Sequence, residues 1–541
     1  MKRTSLLLLS LVFIASCSGN KNPEFSSEKP AETSSISEIS SSEESISSEE
    51  SKSSESIFSS EEESSESIFS SEESESKISS ESEESSEESS ISETGSEEPE
   101  PAYIEMNNDV VMKDILDPQG MHVCPSLGDI NVLVIPVEFT DYPFSKLKDK
   151  YSHLEEVFNA EQLDYFYSLR KYYELSSYGK LNFNFEVADI YSAEMATSNI
   201  KTSQGVVNLC QRLFNLYSSA HLGEMDKFDS DGDGCADAVW FIYSAPDYSH
   251  NTSLSDAFWA FTTYLGNVGT HDRPALNTMA WASIDFQKDP NGGYHDAHTI
   301  IHETGHMLGL DDYYSYAGHI SPLGGIDMMD NNVIDHNPWS KYALGWINPK
   351  LVINDIEDIT LDLFQENGDA IFLSLEDYPS LNPFGEFIVF EYYSPTRLNE
   401  TDSHKSKKYL QAMTNSGIRV YHVDSRLMTY DEAGYPMYAT YESGSDQIYY
   451  VSHSNTKNSG AYETQYSLIT VIDSQGRNFA KSYISASNES MFYDYDYIDF
   501  FTERFNNQFV NDYQPNCKGL FPNYIQINEL EETCAHLSIT I

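Results

Sequence analysis

Five residues within an eleven-residue stretch could do chemistry: His302, Glu303, His306, Gly309 and Asp312. His302 and His306 are four apart, so on an α-helix both imidazoles leave one face and can grip a single metal ion. Glu303 follows the first histidine directly, which sets its carboxylate beside a metal-bound water as a general base requires. Gly309 can take the positive φ that ends a helix and turns the chain back. That reversal brings Asp312 round as a third ligand and leaves a fourth position open to water. Two histidines and one carboxylate around Zn²⁺ leave a formal charge of about +1, enough to acidify water and polarise a carbonyl.

The bare His-Glu-x-x-His pattern arises by chance in roughly one such chain in thirty, so it carries little alone. Adding the glycine and the aspartate lowers that to on the order of one in ten thousand. His298 extends the histidine stripe by one turn. A metal held between His298 and His302 would have Thr299 where the base should stand, so His298, like His295, is read as a residue of the helix start or cleft. Around the motif, Asp296–Leu308 is predicted as its helix. The buried strands expected to carry it are Asn131–Phe139, Leu181–Ile190 and Ala238–Tyr243, with flanking helices at Leu163–Ser177 and Val206–Leu216.

The segments His302–Asp312, Gly325-Ile326-Asp327-Met328-Met329-Asp330 and Trp339–Trp346 resemble the secreted bacterial metallopeptidases of the immune inhibitor A family. Tyr173–Leu181 and Asp229–Asp237 match that pattern too, and the likeness extends over roughly residues 125–350 and more loosely to about 425. The resemblance implies a metzincin-like zinc peptidase acting on proteins or peptides. It also implies a methionine turn under the metal at Met329. Two positions depart from the pattern: Asp311 stands where proline is common, and Ser315 where a second acidic residue is usual. Two adjacent aspartates then compete as third ligand, and Asp312 has the right offset.

A second cluster suggests another ion. Asp229, Asp231, Asp233 and Asp237, with Gly234 among them, have the opening spacing of a Ca²⁺ loop, in which alternate carboxylates converge on a hard cation. Trp240 stands where the bidentate glutamate of an EF-hand would be, so the loop is expected to run into a strand. Calcium there would be structural.

The 541 residues carry a formal net charge of −56. So acidic a chain is not a nucleic-acid binder. Much of the charge lies between about Ser26 and Glu100, almost wholly Ser and Glu, where like charges repel and too little apolar surface exists to offset chain entropy. An extended disordered stalk is expected there. Ahead of it, Lys2 and Arg3 precede the apolar run Leu6–Ile14, too short to span a bilayer and typical of a leader. Ile14-Ala15-Ser16-Cys17 resembles the bacterial lipobox, which implies lipidation at Cys17.

Five further cysteines follow: Cys124, Cys210, Cys235, Cys517 and Cys534. Cys517 and Cys534 are the local candidates for a disulfide. Cys210 sits at helical spacing with Val206, Leu209 and Leu213 and reads as a buried thiol. Cys124 is expected to pack ahead of the first strand rather than reach the metal. After Pro349, short alternating runs at Ala370–Leu375, Glu386–Tyr393, Gly417–Val423, Gln447–His453 and Leu537–Ile541 suggest antiparallel β-structure, with Glu391 and His422 as structural residues.

The expected organisation is therefore a leader (1–16), a stalk (17–100), an α+β metallopeptidase domain (101–350) and a β-rich domain (351–541). The expected protein is a monomer on a bacterial cell surface, lipid-anchored to the membrane with its folded part outside. Its expected activity is a zinc-dependent endopeptidase with Glu303 as base. The competing reading is a catalytically inactive surface-binding protein on the same scaffold. Intact Glu303 favours the enzyme, since a binding protein has no use for a base beside the ligands.

Overall fold

In the buried strands Gly128–Glu138 and Val239–Tyr243, successive side chains point to opposite faces of one sheet and feed two separate cores. Val132, Val134, Trp240 and Ile242 join the core that holds Ile300 and Ile301. Leu133, Ile135, Val137, Val239, Phe241 and Tyr243 join the core of Val206, Leu209, Cys210 and Leu213 on the other side. The continuous apolar runs in these strands are what burial on both faces demands.

These features come from a computed structural model, which describes residues 13–15 and 101–541 apart from 108, 315–320, 377–378, 406, 431–435, 446, 452–467, 480–483 and 509–523. Across the first sheet the order is Leu181–Val187, Gly128–Glu138, Val239–Tyr243, Thr278–Ser283 and Phe261–Tyr264. The first four strands are parallel, and Phe261–Tyr264 runs antiparallel to its neighbour. Phe13–Ala15 pairs antiparallel with Phe261–Tyr264. Helices Leu169–Ser176 and His298–Met307 contribute to one core, and Ser203–Ala220 to the other.

The helix expected over Leu163–Ser177 starts late. Ser168 is its N-cap, accepting a hydrogen bond from the Lys171 amide, and Leu163–Tyr167 reach the core as irregular chain instead. The strands Phe261–Tyr264 and Thr278–Ser283 were not anticipated. Of the run Gln447–His453, only Tyr450–Val451 is a strand among the described residues.

A six-stranded sheet follows in the order Ile469–Ile472, Gly417–Asp424, Glu386–Tyr393, Ile371–Ser374, Lys350–Val352 and Tyr103–Glu105. A four-stranded antiparallel sheet packs on one of its faces, burying Ile388 and Phe390 with Ile527 and Leu537. The other face sends Phe372, Phe387, Val389, Tyr421 and Val423 into the same core as the motif helix. The fold is thus mixed α and β with sheet predominating. The described residues from 101 onward cluster as one compact unit. No helix among the described residues is long and apolar enough to cross a membrane.

Candidate metal centre

The motif helix, His298–Met307, is buried along its whole length. Carbonyl oxygens fix the tautomers of its two candidate ligands. His302 Nδ1 lies 2.8 Å from the Met328 oxygen and His306 Nδ1 2.8 Å from the Leu310 oxygen. A carbonyl only accepts, so each Nδ1 carries the hydrogen and each Nε2 presents a lone pair. Both Nε2 atoms are buried without a hydrogen-bond partner, and they converge on Asp312 Oδ1, 3.0 Å from His302 and 3.3 Å from His306.

Those separations suit three ligands of one small cation. Tetrahedral Zn²⁺ bound at about 2.05 Å sets its ligand atoms roughly 3.3 Å apart. The electrostatics agree. Burial opposes protonation of His306, yet the Asp312 carboxylate raises its pKa to about 9. Burial would raise the Asp312 carboxyl, but His306 and His302 hold it well below the usual carboxylate range. The pocket therefore favours positive charge, and a divalent ion fits the donor set.

Glu303 is fully buried, and its carboxylate accepts a hydrogen bond from the Thr262 hydroxyl at 3.0 Å. Thr262 belongs to the antiparallel strand Phe261–Tyr264, whose Tyr264 hydroxyl donates to the His306 carbonyl. This strand therefore sets the depth and rotation of the motif helix. Neither residue was singled out from sequence, because a four-residue strand with two threonines has no distinctive periodicity.

Two glycines let the chain close around the centre. Gly309 has φ of +97°, and a Cβ there would lie 2.7 Å from Leu116 Cδ1, so both conformation and space exclude a larger residue. At Gly305 a Cβ would lie 2.4 Å from Met329 Sδ. Met329 thus packs directly against the motif helix between the two histidines. Its neighbour Met328 supplies the carbonyl that orients His302.

The segment 325–337 is held from several sides. Asp327 caps Met329 at 2.8 Å and accepts from Asn337. Tyr173 donates to Ile301 of the motif helix at 2.8 Å, while Ser176 donates to Asp335. Lys341, fully buried, reaches Asp335 at 2.6 Å and the Tyr178 hydroxyl at 3.0 Å. Burial lowers its pKa, and Asp335 partly offsets that. The matched segments Tyr173–Leu181, Gly325–Asp330 and Trp339–Trp346 are therefore parts of one contact network.

The region beyond residue 350 contributes charges that sequence reading missed. Arg419 donates to the Ile326 carbonyl at 2.9 Å and pairs with Glu391 at 3.1 Å. Asn399 accepts from the Asp335 amide. Asp402 accepts from the Ile334 amide at 2.7 Å and from His298 Nε2 at 3.2 Å. His298 is a buried imidazole between Asp402 and Asp296, with Lys408 completing the row at 2.7 Å from Asp296. Burial would lower its pKa, but the two carboxylates raise it to about 9. His422 pairs with Glu386.

In the acidic loop, Asp229 and Asp237 point inward and accept from the Gly234 and Ser230 amides. Asp229 Oδ1 is buried with no hydrogen-bond partner. Burial pushes the Asp237 carboxyl up to about 7, aided by the Asp231 and Asp229 charges and opposed by the Ser230 hydrogen bonds. Asp231 and Asp233 face the chain ahead of the first sheet, where Asp117 approaches them closely enough for a shared cation. Lys113 already stands 2.9 Å from Asp231, and His122 2.8 Å from Asp233.

Cys124 is buried in the main core, its amide donating to the Met307 carbonyl at the end of the motif helix, and burial pushes its thiol pKa up. Cys210 is buried as expected. Cys17, Ser315 and Cys517 lie outside the described residues. Comparison of the chain with protein-family models and with curated proteins finds no match.

Proposed function

We propose that this chain is a zinc-dependent endopeptidase of the immune inhibitor A type, with a metzincin-like catalytic region. The observation that carries the reading is the convergence of His302 Nε2, His306 Nε2 and Asp312 Oδ1 beside the buried Glu303 carboxylate. Zn²⁺ held by these three residues would supply Lewis acidity to a water molecule and to the scissile carbonyl. Glu303 takes the water's proton as attack proceeds and delivers it to the departing amine. Thr262 orients that carboxylate, and the carbonyls of Met328 and Leu310 keep both imidazoles in the ligating tautomer. Asp229, Asp231, Asp233 and Asp237 are proposed to hold a structural Ca²⁺, supported by the partnerless Asp229 Oδ1. A lipid at Cys17 and the acidic stalk would tether the enzyme at a bacterial surface, where proteins and peptides are its substrates.

The test is Glu303→Gln in the full chain, which keeps size and hydrogen bonding but cannot accept a proton. Zinc content should be unchanged, and cleavage of an unfolded protein should fall at least ~100-fold, the lower range for a general base. A chelator should abolish the wild-type activity. Near-normal cleavage by the zinc-loaded variant would remove Glu303 from this role.

A further inference from the structure

A second set of metal-ligating side chains lies outside this centre, where the chain approaches the motif helix. His153 caps the helix Leu154–Asn159, and Glu156 is in that helix's first turn. His295 stands three residues before the motif helix begins. His153 Nδ1 is 3.1 Å from His295 Nε2 and 2.9 Å from Glu156 Oε2, and the third side of the triangle is 3.6 Å. The two rings meet edge to face with centroids 4.5 Å apart.

One placement of hydrogens satisfies the triangle without a metal: a hydrogen on His153 Nδ1 shared between Glu156 Oε2 and the lone pair of His295 Nε2. With that hydrogen displaced, all three atoms present lone pairs to a common side, where a single cation takes its place. The triangle's sides bracket the roughly 3.3 Å edge of a zinc tetrahedron, much as those of the buried centre do.

We propose that His153 Nδ1, His295 Nε2 and Glu156 Oε2 form a second divalent transition-metal site, zinc being the fitting ion, with its fourth position open to solvent. Two imidazoles and one carboxylate suit zinc over calcium or magnesium, which prefer oxygen ligands throughout. The ligands are half-exposed, with side-chain exposures of 33% for His153, 55% for Glu156 and 15% for His295. Zinc can therefore reach the site without unfolding, and should bind more weakly than in the buried centre. Bound metal would clasp the helix Leu154–Asn159 to the chain that leads into the catalytic helix. This revises the reading of His295 as a residue of the helix start alone.

The test counts zinc per full-length chain by elemental analysis at graded, buffered free zinc, comparing wild type with His295→Ala, His153→Ala and Glu156→Gln. Comparison at equal free zinc cancels any weak binding by the acidic stalk, which all the chains share. Each histidine variant should bind one zinc fewer than wild type, and Glu156→Gln should weaken that same step more than ~10-fold. A zinc-dependent rise in melting temperature should remain in His302→Ala and be lost when His295→Ala is combined with it. If the buried centre failed to hold zinc, wild type would bind one and His295→Ala none, which still supports this site. Equal zinc content in wild type and both histidine variants would overturn it.

Discussion

Asp311 and Asp312 are neighbours in the chain and unlike in surroundings. Asp312 is fully buried against two imidazole nitrogens, whereas Asp311 is part-exposed beyond the Gly309 reversal. Asp312→Ala removes a ligand atom and leaves two histidines, so zinc affinity should fall by orders of magnitude. Asp311→Ala should keep zinc within about a factor of ten of wild type, because a residue outside the ligand set acts at most through its surroundings. Elemental analysis of both purified variants decides between them, and zinc lost from Asp311→Ala but kept by Asp312→Ala would reverse the assignment. At this scale the sequence was legible, because a helix of known pitch ended by one glycine fixes where His302, Glu303, His306 and Asp312 must go. Thr262 and Tyr264 were not legible. Their contacts depend on which strand of the sheet passes beside the motif helix, and residue types alone do not encode that.

At the scale of elements, the acidic loop between Asp229 and Asp237 presents a choice of counter-charge. Lys113 and His122 contact its outer carboxylates, while the inner pair keeps a buried oxygen without a hydrogen-bond partner. If Ca²⁺ fills this loop, it stabilises the folded state by about 2.7 kcal/mol when free calcium is a hundredfold above the dissociation constant. A calcium-selective chelator should then lower the melting temperature without removing zinc, and Asp231→Asn with Asp233→Asn should mimic it when calcium is present. A melting temperature indifferent to calcium would leave the loop's carboxylates to their partners Lys113, His122 and His271. The long apolar strands Gly128–Glu138 and Val239–Tyr243 were readable because burial on both faces leaves an unbroken hydrophobic run. Phe261–Tyr264 and Thr278–Ser283 escaped notice because Thr262, Thr263 and Thr278 are buried polar residues, satisfied only by partners distant in sequence. The helix predicted from Leu163 began at Leu169 because the Ser168 cap outweighed a favourable apolar spacing.

At the scale of the molecule, the region beyond residue 350 is part of what holds the candidate metal centre in shape. The six-stranded sheet supplies Phe372, Phe387 and Val389 to the core beneath the motif helix, and Arg419, Asn399 and Asp402 reach the segment that carries Met329. None of this shows in the alternating pattern of Glu386–Tyr393, which announces a strand without saying what either face will meet. The Ser/Glu-rich stretch, by contrast, has few apolar residues in its sequence with which to build a core. Two deletions should therefore behave in opposite ways. Removing residues 18–100 should leave melting temperature and zinc content unchanged, whereas ending the chain at residue 350 should give an aggregating product without the zinc site. A single substitution isolates the electrostatic part of that dependence. Asp402→Asn keeps the shape but leaves the buried His298 with one carboxylate fewer, and breaking a buried ion pair typically costs about 3–5 kcal/mol. The variant should melt well below wild type, and supplementing zinc should restore part of the loss, since ligand binding to the folded state alone shifts the equilibrium back. Thermal unfolding with and without added zinc measures both effects. An Asp402→Asn protein that melts with the wild type would mean that the sheet supports the centre through packing alone.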